Sequence, residues 1–185
     1  MQFLPQSIPE VILLIPRKFS DNRGYFMETY KAANFNEFTG TNVDFVQDNQ
    51  SVSTHRATVR GLHFQAPPYA QGKLVRCLKG SVLDVAVDLR QNSATYGHHV
   101  SALLSEENGH QLWIPPGFGH GFSTQLDDTV ISYKCTNYYN PESEGSVLWN
   151  DPDLNIDWQL DGQTAKLSEK DAQAPLFTDL KTPFK

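Results

Sequence analysis

Short runs of β-branched and aromatic residues, separated by turn-forming residues, recur along most of this chain, whereas helical periodicity is scarce. The strands that these runs predict are Val11 to Ile15, Tyr25 to Tyr30, Val43 to Gln47, Ala57 to Gln65, Lys73 to Leu78, Val82 to Leu89, His99 to Leu104, Gln111 to Ile114 and Thr129 to Thr136. Proline and glycine punctuate the intervals, for example at Pro67-Pro68 and Lys79-Gly80. Many short strands at this spacing favour a sandwich, a jelly roll or a small barrel.

Only two segments predict helix: Lys31 to Phe38, and a helical turn near Ser168 to Ala172. The remainder of the chain after Asp151 is predicted to be irregular. The fold class is therefore mainly β, with a few short helices.

The predicted strand from Val82 to Leu89 alternates in character. Its even positions carry the carboxylates Asp84 and Asp88, and its odd positions are all apolar. Because successive side chains of a strand point to opposite faces, one face is apolar and the other projects two carboxylates.

Composition narrows the class of protein. The 185 residues are 39% hydrophobic and 19% charged, which excludes a disordered chain, a coiled coil and a collagen-like repeat. This length predicts a single domain over residues 1 to 185. The 15 Lys and Arg against 21 Asp and Glu give a net charge of -6, and no basic run offers a general nucleic-acid surface. Any polyanion must meet a local cluster of cations.

Cysteines and apolar runs predict the compartment. Cys77 and Cys135 lie in predicted strands without CxxC spacing and are interpreted as buried thiols. The apolar run Val11 to Ile15 is too short for a signal peptide, and nothing approaches the ~20 residues of a membrane span. We therefore expect a cytoplasmic protein without a membrane partner.

The segment from Arg60 to Gln65, RGLHFQ, interrupts a strand pattern with a glycine and polar groups. Glycine inside a strand often marks close approach of a ligand or of another backbone. His63 is a natural general base if a carboxylate orients its second nitrogen, since histidine titrates near neutrality. A hydrogen-bonded histidine without catalytic function is the alternative.

A second segment, Gly109 to Phe122, resembles the second motif of the cupin superfamily. That resemblance implies a conical double-stranded β-helix, or jelly-roll barrel, with its site inside. Metal-binding cupins supply HxH and a glutamate from their first motif, but here only His63 is followed by Phe64 and Gln65. Because a stable centre needs three or more convergent ligands, no metal site is expected. His120 is interpreted as a hydrogen-bonding group for substrate or structure.

The closest resemblance is spread over seven segments. In chain order they are Phe45 to Asn49, Arg60 to Gln65, Gln71 to Arg76, Asp84 to Asp88, Trp113 to Phe122, Tyr133 to Tyr139 and Leu167 to Asp171. Together they resemble the dTDP-4-dehydrorhamnose 3,5-epimerase family, from about Ile8 to Leu176. Seven ordered segments are far more specific than any one motif.

The resemblance implies a dTDP-4-keto-6-deoxyhexose substrate, whose C3 and C5 hydrogens are acidified by the C4 ketone. His63 matches the family's base, Tyr133 its acid and Asp171 the carboxylate that orients the histidine. Lys73 matches the lysine that stabilises the enolate at the C4 oxygen. No cofactor is implied. From the residues alone, Asp84 restrains Lys73 or His63 or forms a structural ion pair.

Substrate-binding roles also follow from the resemblance. The diphosphate contacts match Arg23, Arg60 and Lys170, and thymine is expected to stack on Tyr139, with Phe26 as a second candidate. The remaining implied substrate contacts are Glu28, Gln47, Asn49, His120 and Glu144. The family is a homodimer, so Arg23, Phe26 and Glu28 of the N-terminal region are expected to serve the neighbour's site.

Three rival functions remain open at the sequence level. The nearest is a related enzyme that epimerises only C3 or only C5, or isomerises the keto group. A non-catalytic sugar-nucleotide-binding cupin is disfavoured by the simultaneous presence of His63, Tyr133 and Asp171. A metal-dependent cupin oxygenase is disfavoured by the missing HxH and glutamate.

Overall fold

The computed structural model describes residues 1–185 and is built mainly from antiparallel β-strands. The thirteen strands are β1 (Gln2–Pro5), β2 (Ile12–Ile15), β3 (Lys18–Asp21), β4 (Gly24–Met27), β5 (Gln47–Ser53), β6 (Val59–Gln65), β7 (Lys73–Lys79), β8 (Ser81–Asp88), β9 (His99–Ser105), β10 (Gln111–Ile114), β11 (Phe118–Thr124), β12 (Thr129–Cys135) and β13 (Glu144–Ser146). The helices are α1 (Ala32–Thr39) and α2 (Glu169–Ala172), with 3-10 turns at Pro141–Ser143 and Phe177–Asp179. Neither α-helix is long and apolar enough to cross a bilayer.

Two sheets enclose the interior of the barrel. One has the order β1-β2-β10-β7-β12-β5, the other β13-β6-β11-β8-β9, and β3 pairs with β4 in a separate hairpin. Apolar side chains of both sheets, such as Val75 and Ile131 from the first and Ala86 and Phe122 from the second, form one buried cluster between them. The mainly β, cupin-type double-stranded β-helix that the sequence predicted is confirmed.

The outer faces of the two sheets are also covered. Leu62 and Val85 pack under the C-terminal segment through Trp158 and Phe184, and Phe35 of α1 packs against Trp113 on the other sheet. Burial on both faces explains why β8 is buried almost throughout although its pattern alternates. The carboxylates Asp84 and Asp88 are therefore fully buried inside the barrel wall.

Several sequence predictions need correction. The strand predicted at Val43 to Gln47 instead spans Gln47–Ser53. One face of this strand is exposed and its residues are mostly polar, so no apolar run marks it in the sequence. β1, β3, β11 and β13 were not predicted. The glycines of β11 weaken its strand signal, but its backbone is fixed by pairing with both β6 and β8. The predicted helices, and the burial of both free cysteines, are confirmed.

Candidate active site

A cavity of about 520 Å³ lies between the two sheets of the barrel and opens to solvent. The sequence-predicted residues that line it are Arg60, His63, Lys73, His120, Tyr133, Lys170 and Asp171. A smaller adjoining cavity of about 100 Å³ shares His63, Lys73 and Tyr133 and is also lined by the predicted Gln47, Asn49, Tyr139 and Glu144. The structure therefore brings eleven of the fourteen predicted residues to one connected site.

His63 and Asp171 form a hydrogen-bonded pair at this site. The distance from His63 Nε2 to Asp171 Oδ1 is 2.5 Å, and the side chains are 32% and 5% exposed. Burial raises the pKa of Asp171, but its hydrogen bonds with His63, Ser168 and Gly61 outweigh burial and hold the pKa below its usual value. A buried, ionised carboxylate fixes one ring nitrogen and leaves Nδ1 for proton transfer.

Local sequence explains how the pair is positioned. Ser168 caps α2 by accepting a hydrogen bond from the Asp171 backbone N–H at 3.1 Å, which is the usual role of a serine at a helix start. Gly61 lies beside β11, where an added Cβ would come within 2.6 Å of the Gly121 Cα. The glycine in the predicted strand therefore marks close approach of a backbone.

Tyr133 and Lys73 line the same cavity from the opposite sheet. Tyr133 lies between Asn49 of β5 and Val75 of β7, and burial raises the pKa of its phenol. Lys73 is the first residue of β7, and burial lowers the pKa of its ammonium. Burial therefore disfavours the charged form of each group, which is the phenolate of Tyr133 and the ammonium of Lys73.

Asp84 is hydrogen-bonded to His120. The distance from His120 Nε2 to Asp84 Oδ1 is 2.8 Å, and the side chains are 7% and 0% exposed. The sequence left two functions open for Asp84: restraint of Lys73 or His63, or a structural ion pair. Burial lowers the pKa of His120, so the imidazole is neutral near pH 7.

Cations and carboxylates meet at the cavity mouth. Arg60 donates to the Ser53 hydroxyl at 3.1 Å and to the Val52 carbonyl at 3.0 Å. Lys170 Nζ lies 2.6 Å from Glu144 Oε2, which also accepts from the Tyr139 hydroxyl at 3.1 Å. Burial raises the pKa of Glu144, but the hydrogen bond to Lys170 outweighs it and the pKa is lowered.

Gln47 and Asn49 are linked at the smaller cavity. Gln47 Nε2 donates to Asn49 Oδ1 at 3.0 Å, and Gln47 Oε1 accepts from the Tyr139 backbone N–H at 2.9 Å. Asn49 Nδ2 in turn donates to Cys135 Sγ at 3.6 Å. These bonds fix the polar face of β5 relative to Tyr139.

Three predicted residues lie away from the cavity of this chain. Arg23, Phe26 and Glu28 belong to or follow the β3–β4 hairpin and are exposed. Arg23 is ion-paired with Asp21 at 2.6 Å, and Phe26 is 68% exposed. No described contact of the single chain brings these three side chains to His63.

Seven residues that the sequence analysis did not select also line the cavity. They are Ser51, Thr58, Val59, Phe122, Lys166, Leu167 and Ser168. The period of two along β5, which carries Gln47 and Asn49 to one face, is a signal that points to Ser51. The Ser51 hydroxyl is buried without a hydrogen-bond partner. No sequence signal distinguishes Lys166 from a surface lysine.

The cavity's titratable groups do not form a metal-ligand set. No group of three or more His, Cys, Asp or Glu side chains converges as a metal site would require. His63 and His120 each direct Nε2 to an aspartate. The metal dependence of activity stays a prediction for experiment.

Comparisons with known proteins agree with this geometry. A sequence profile described as dTDP-4-dehydrorhamnose 3,5-epimerase matches residues 5–179. The dTDP-4-dehydrorhamnose 3,5-epimerase of Salmonella typhimurium is 52% identical over 177 residues, which are 96% of each chain.

Solved structures give the same result at the level of the fold. A dTDP-4-dehydrorhamnose 3,5-epimerase from Elizabethkingia anophelis superposes with a TM-score of 0.93 at 49% identity, over 98% of both chains. A dTDP-6-deoxy-D-glucose-3,5-epimerase from Legionella pneumophila, in complex with dTDP-4-keto-L-rhamnose, superposes with a TM-score of 0.92 at 45% identity, over 97% of this chain and 94% of that one. Because the profile and the relatives match almost the whole sequence, this chain belongs to the dTDP-4-dehydrorhamnose 3,5-epimerase family.

Proposed function

We infer that this chain epimerises C3 and C5 of dTDP-4-dehydro-6-deoxy-D-glucose, giving dTDP-4-dehydro-L-rhamnose. The observation that carries this inference is the hydrogen bond between His63 and the buried Asp171, in the same cavity as Lys73 and Tyr133. Membership of the epimerase family supports it. The reaction is an isomerisation, a step toward dTDP-L-rhamnose.

His63 is the general base. Its imidazole removes a proton from the carbon next to the C4 ketone, and the electron pair of the C–H bond moves into the enolate. Asp171 orients the ring and stabilises the imidazolium that forms. The lowered pKa of Asp171 keeps this carboxylate ionised at neutral pH.

Lys73 stabilises the enolate oxygen. Charge that develops at the C4 oxygen during proton removal meets an ammonium held in a largely buried position. A preorganised charge in a site that excludes water is often the largest catalytic contribution.

Tyr133 is the general acid. Its O–H bond breaks as the proton passes to the same carbon from the opposite face, the enolate collapses to the ketone, and the centre is inverted. Because burial raises the pKa of the phenol, Tyr133 holds its proton at neutral pH. Return of one proton from His63 to solvent and uptake of one by Tyr133 restore the enzyme, so no redox cofactor is needed.

The dTDP part of the substrate binds toward the cavity mouth. Arg60 and Lys170 neutralise the diphosphate, Tyr139 stacks on thymine, and Gln47, Asn49, His120 and Glu144 complete the polar contacts. In the free enzyme Lys170 is occupied by Glu144. Binding of the diphosphate must therefore compete with this carboxylate.

The functional unit is a homodimer. Arg23, Phe26 and Glu28 are exposed on the hairpin of one chain, where they are free to reach a neighbouring molecule. Their predicted substrate contacts are compatible with this structure only if they serve the partner's cavity. The site is then shared between two chains.

Proton NMR of the product formed from dTDP-4-keto-6-deoxyglucose in deuterated water tests this function. Inversion with deuterium at both C3 and C5 is expected. Deuterium and inversion at one carbon alone would identify a mono-epimerase. Binding of dTDP-sugar without exchange at either carbon would identify a non-catalytic binding protein.

A further inference from the structure

Asp84 is a buried carboxylate in the middle of β8 to which the epimerisation mechanism gives no function. Its neighbours across the β8–β11 ladder are Phe122, directly opposite, and His120, two residues further along and opposite Ala86. Diagonal neighbours of this kind share one face of a sheet. That face is the interior of the barrel, beneath the floor of the catalytic cavity.

The two oxygens of Asp84 have different environments. Oδ1 accepts a hydrogen bond from His120 Nε2 at 2.8 Å, whereas Oδ2 is buried without any partner. Since a carboxylate accepts, the His120 proton is on Nε2 and Nδ1 is the unprotonated nitrogen. Burial lowers the pKa of His120, so this imidazole is neutral and cancels none of the carboxylate's charge.

Few negatively charged groups act on Lys73. It takes part in none of the ion pairs of the chain. Burial lowers the pKa of Lys73, and the negative groups that oppose this effect are Cys135 of β12, Asp84 of β8 and Glu144 of β13; the neutral His120 of β11 and His63 of β6 share its cavity.

Cys135 and Glu144 are less suited than Asp84 to balance the charge of Lys73. Burial raises the pKa of the Cys135 thiol, which is therefore neutral near pH 7. Glu144 is ion-paired with Lys170 at 2.6 Å. Asp84 and Glu144 are the two carboxylates that oppose the effect of burial on the Lys73 ammonium, and of these only Asp84 has no cation of its own.

We propose that Asp84 is a positioning residue for the group that stabilises the enolate: one oxygen orients His120, and the other, which has no hydrogen-bond partner, provides negative charge that favours the ammonium form of Lys73. This proposal rests on the proposed function for its catalytic meaning. Burial lowers the pKa of the Lys73 ammonium, so without such a counter-charge the ammonium would lose its proton more readily and stabilise the enolate oxygen less.

The test measures the protonation of Lys73 directly in the free protein. The 13C chemical shift of Lys73 Cε is followed against pH in protein labelled with 13C-lysine, and the signal is assigned by its loss in Lys73→Arg. Asp84→Asn is expected to lower the titration midpoint by about one pH unit or more, since it removes a negative charge that favours the ammonium form of Lys73. The alkaline limb of the kcat profile should move in the same direction.

Matched variants separate charge from structure. Asp88→Asn removes the second fully buried carboxylate of the same strand face and should leave the midpoint of Lys73 unchanged. His120→Asn removes the imidazole but keeps the charge of Asp84, so the midpoint should not fall. Asp84→Glu, which restores a carboxylate, should restore the midpoint, and Asp84→Ser supplies a second neutral variant if Asp84→Asn does not fold.

An unchanged or raised midpoint in a folded neutral variant of Asp84 would overturn the proposal. So would an equal fall in Asp88→Asn or His120→Asn. This titration needs no turnover, so it can fail while wild-type enzyme still exchanges deuterium at C3 and C5. Conversely, the absence of exchange in the wild type would reject the proposed function whatever the midpoint.

Discussion

His63 on β6 and His120 on β11 are cross-strand neighbours, and each imidazole is bound through Nε2 to a different buried aspartate. The side chain of His63 is 32% exposed in the cavity, whereas that of His120 is only 7% exposed. A general base must reach the carbon from which it takes a proton. The more accessible pair, His63 with Asp171, is therefore suited to proton abstraction, and the deeper pair is suited to holding polar groups in place.

Replacement of Arg60 by alanine should weaken dTDP binding at least tenfold. Removal of a charge-assisted contact to phosphate costs about 1.5 to 3 kcal/mol, which corresponds to that factor or more. Isothermal titration calorimetry with dTDP measures the change. Arg56→Ala is the control, because Arg56 is ion-paired with Asp161 and does not line the cavity. Unchanged dTDP affinity in folded Arg60→Ala would remove Arg60 from the phosphate site.

The titratable residues of the site and of β8 illustrate what the sequence can and cannot predict. Asp171 is 108 positions from His63, so their hydrogen bond was expected only through the family resemblance. The alternation of β8 correctly placed Asp84 and Asp88 on one face. It did not give the partner of Asp84, because that partner, His120, lies on β11, which the sequence did not predict as a strand.

The elements show the same division between local and long-range information. Apolar runs with ordinary turn residues, such as Gln111 to Ile114, were located correctly. β11 was missed because its glycines are poor strand formers, and only pairing with two neighbouring strands fixes its backbone. The pairing of Lys170 with Glu144 also depends on the approach of α2 to β13, which are distant in sequence, and no periodicity predicts it.

Activity should not depend on a metal ion. Each of the two histidines at the site binds an aspartate through Nε2, and the site lacks the two histidines that a metal-binding first motif supplies. Dialysis against EDTA is expected to leave kcat unchanged, with elemental analysis of the dialysed protein to verify that metals are removed. Loss of activity that is restored by a divalent cation would contradict the assignment.

Mixed dimers should recover activity lost in two separate variants. If Arg23 of one chain serves the His63 of the other, a dimer of Arg23→Ala with His63→Asn has one intact site and one doubly altered site. Random association makes about half of the dimers mixed, so about a quarter of wild-type activity is expected at substrate concentrations below KM. Co-expression followed by rate measurement tests this. Activity that only averages the two parent variants would place each site within one chain.

Asp88 should stabilise the fold in a pH-dependent way. Burial raises its pKa, but hydrogen bonds from Arg90, Ser93 and Thr95 outweigh burial and lower it to about 2, against 3.8 for the free side chain. Because the pKa is lower in the folded state, the stabilisation is complete above about pH 4 and is lost as the pH falls toward 2. Asp88→Asn should therefore reduce the free energy of unfolding at neutral pH by on the order of 2 kcal/mol.

Urea denaturation followed by circular dichroism at a series of pH values measures this contribution. The difference between wild type and Asp88→Asn should narrow as the pH falls from about 4 to about 2. Asp48→Asn is the control, since Asp48 is 65% exposed in its pair with Lys134 and should change stability little. A difference that is constant with pH would show that the ionisation of Asp88 does not stabilise the fold.

Loss of the base and loss of the acid should have different effects on hydrogen exchange. His63→Asn removes the group that breaks the C–H bond, so both epimerisation and deuterium incorporation at C3 and C5 should be lost. Tyr133→Phe leaves His63 and Asp171 in place, so the enolate still forms and its carbon is reprotonated from the side of the base. Exchange at one or both carbons should then continue with little inverted product, as read from proton NMR in deuterated water.

The assay must cover a wide range of rates, because loss of one catalytic group typically lowers the rate by ~10² to 10⁴. Tyr139→Phe is a matched control for the loss of a phenol hydroxyl, since Tyr139 keeps its ring for stacking and its hydroxyl contacts only Glu144. It should alter KM more than the ratio of exchange to inversion. If folded His63→Asn exchanges deuterium at the wild-type rate, His63 is not the base. If Tyr133→Phe inverts both centres at the wild-type rate, Tyr133 is not the acid, because the proton transfer assigned to it would not require its hydroxyl.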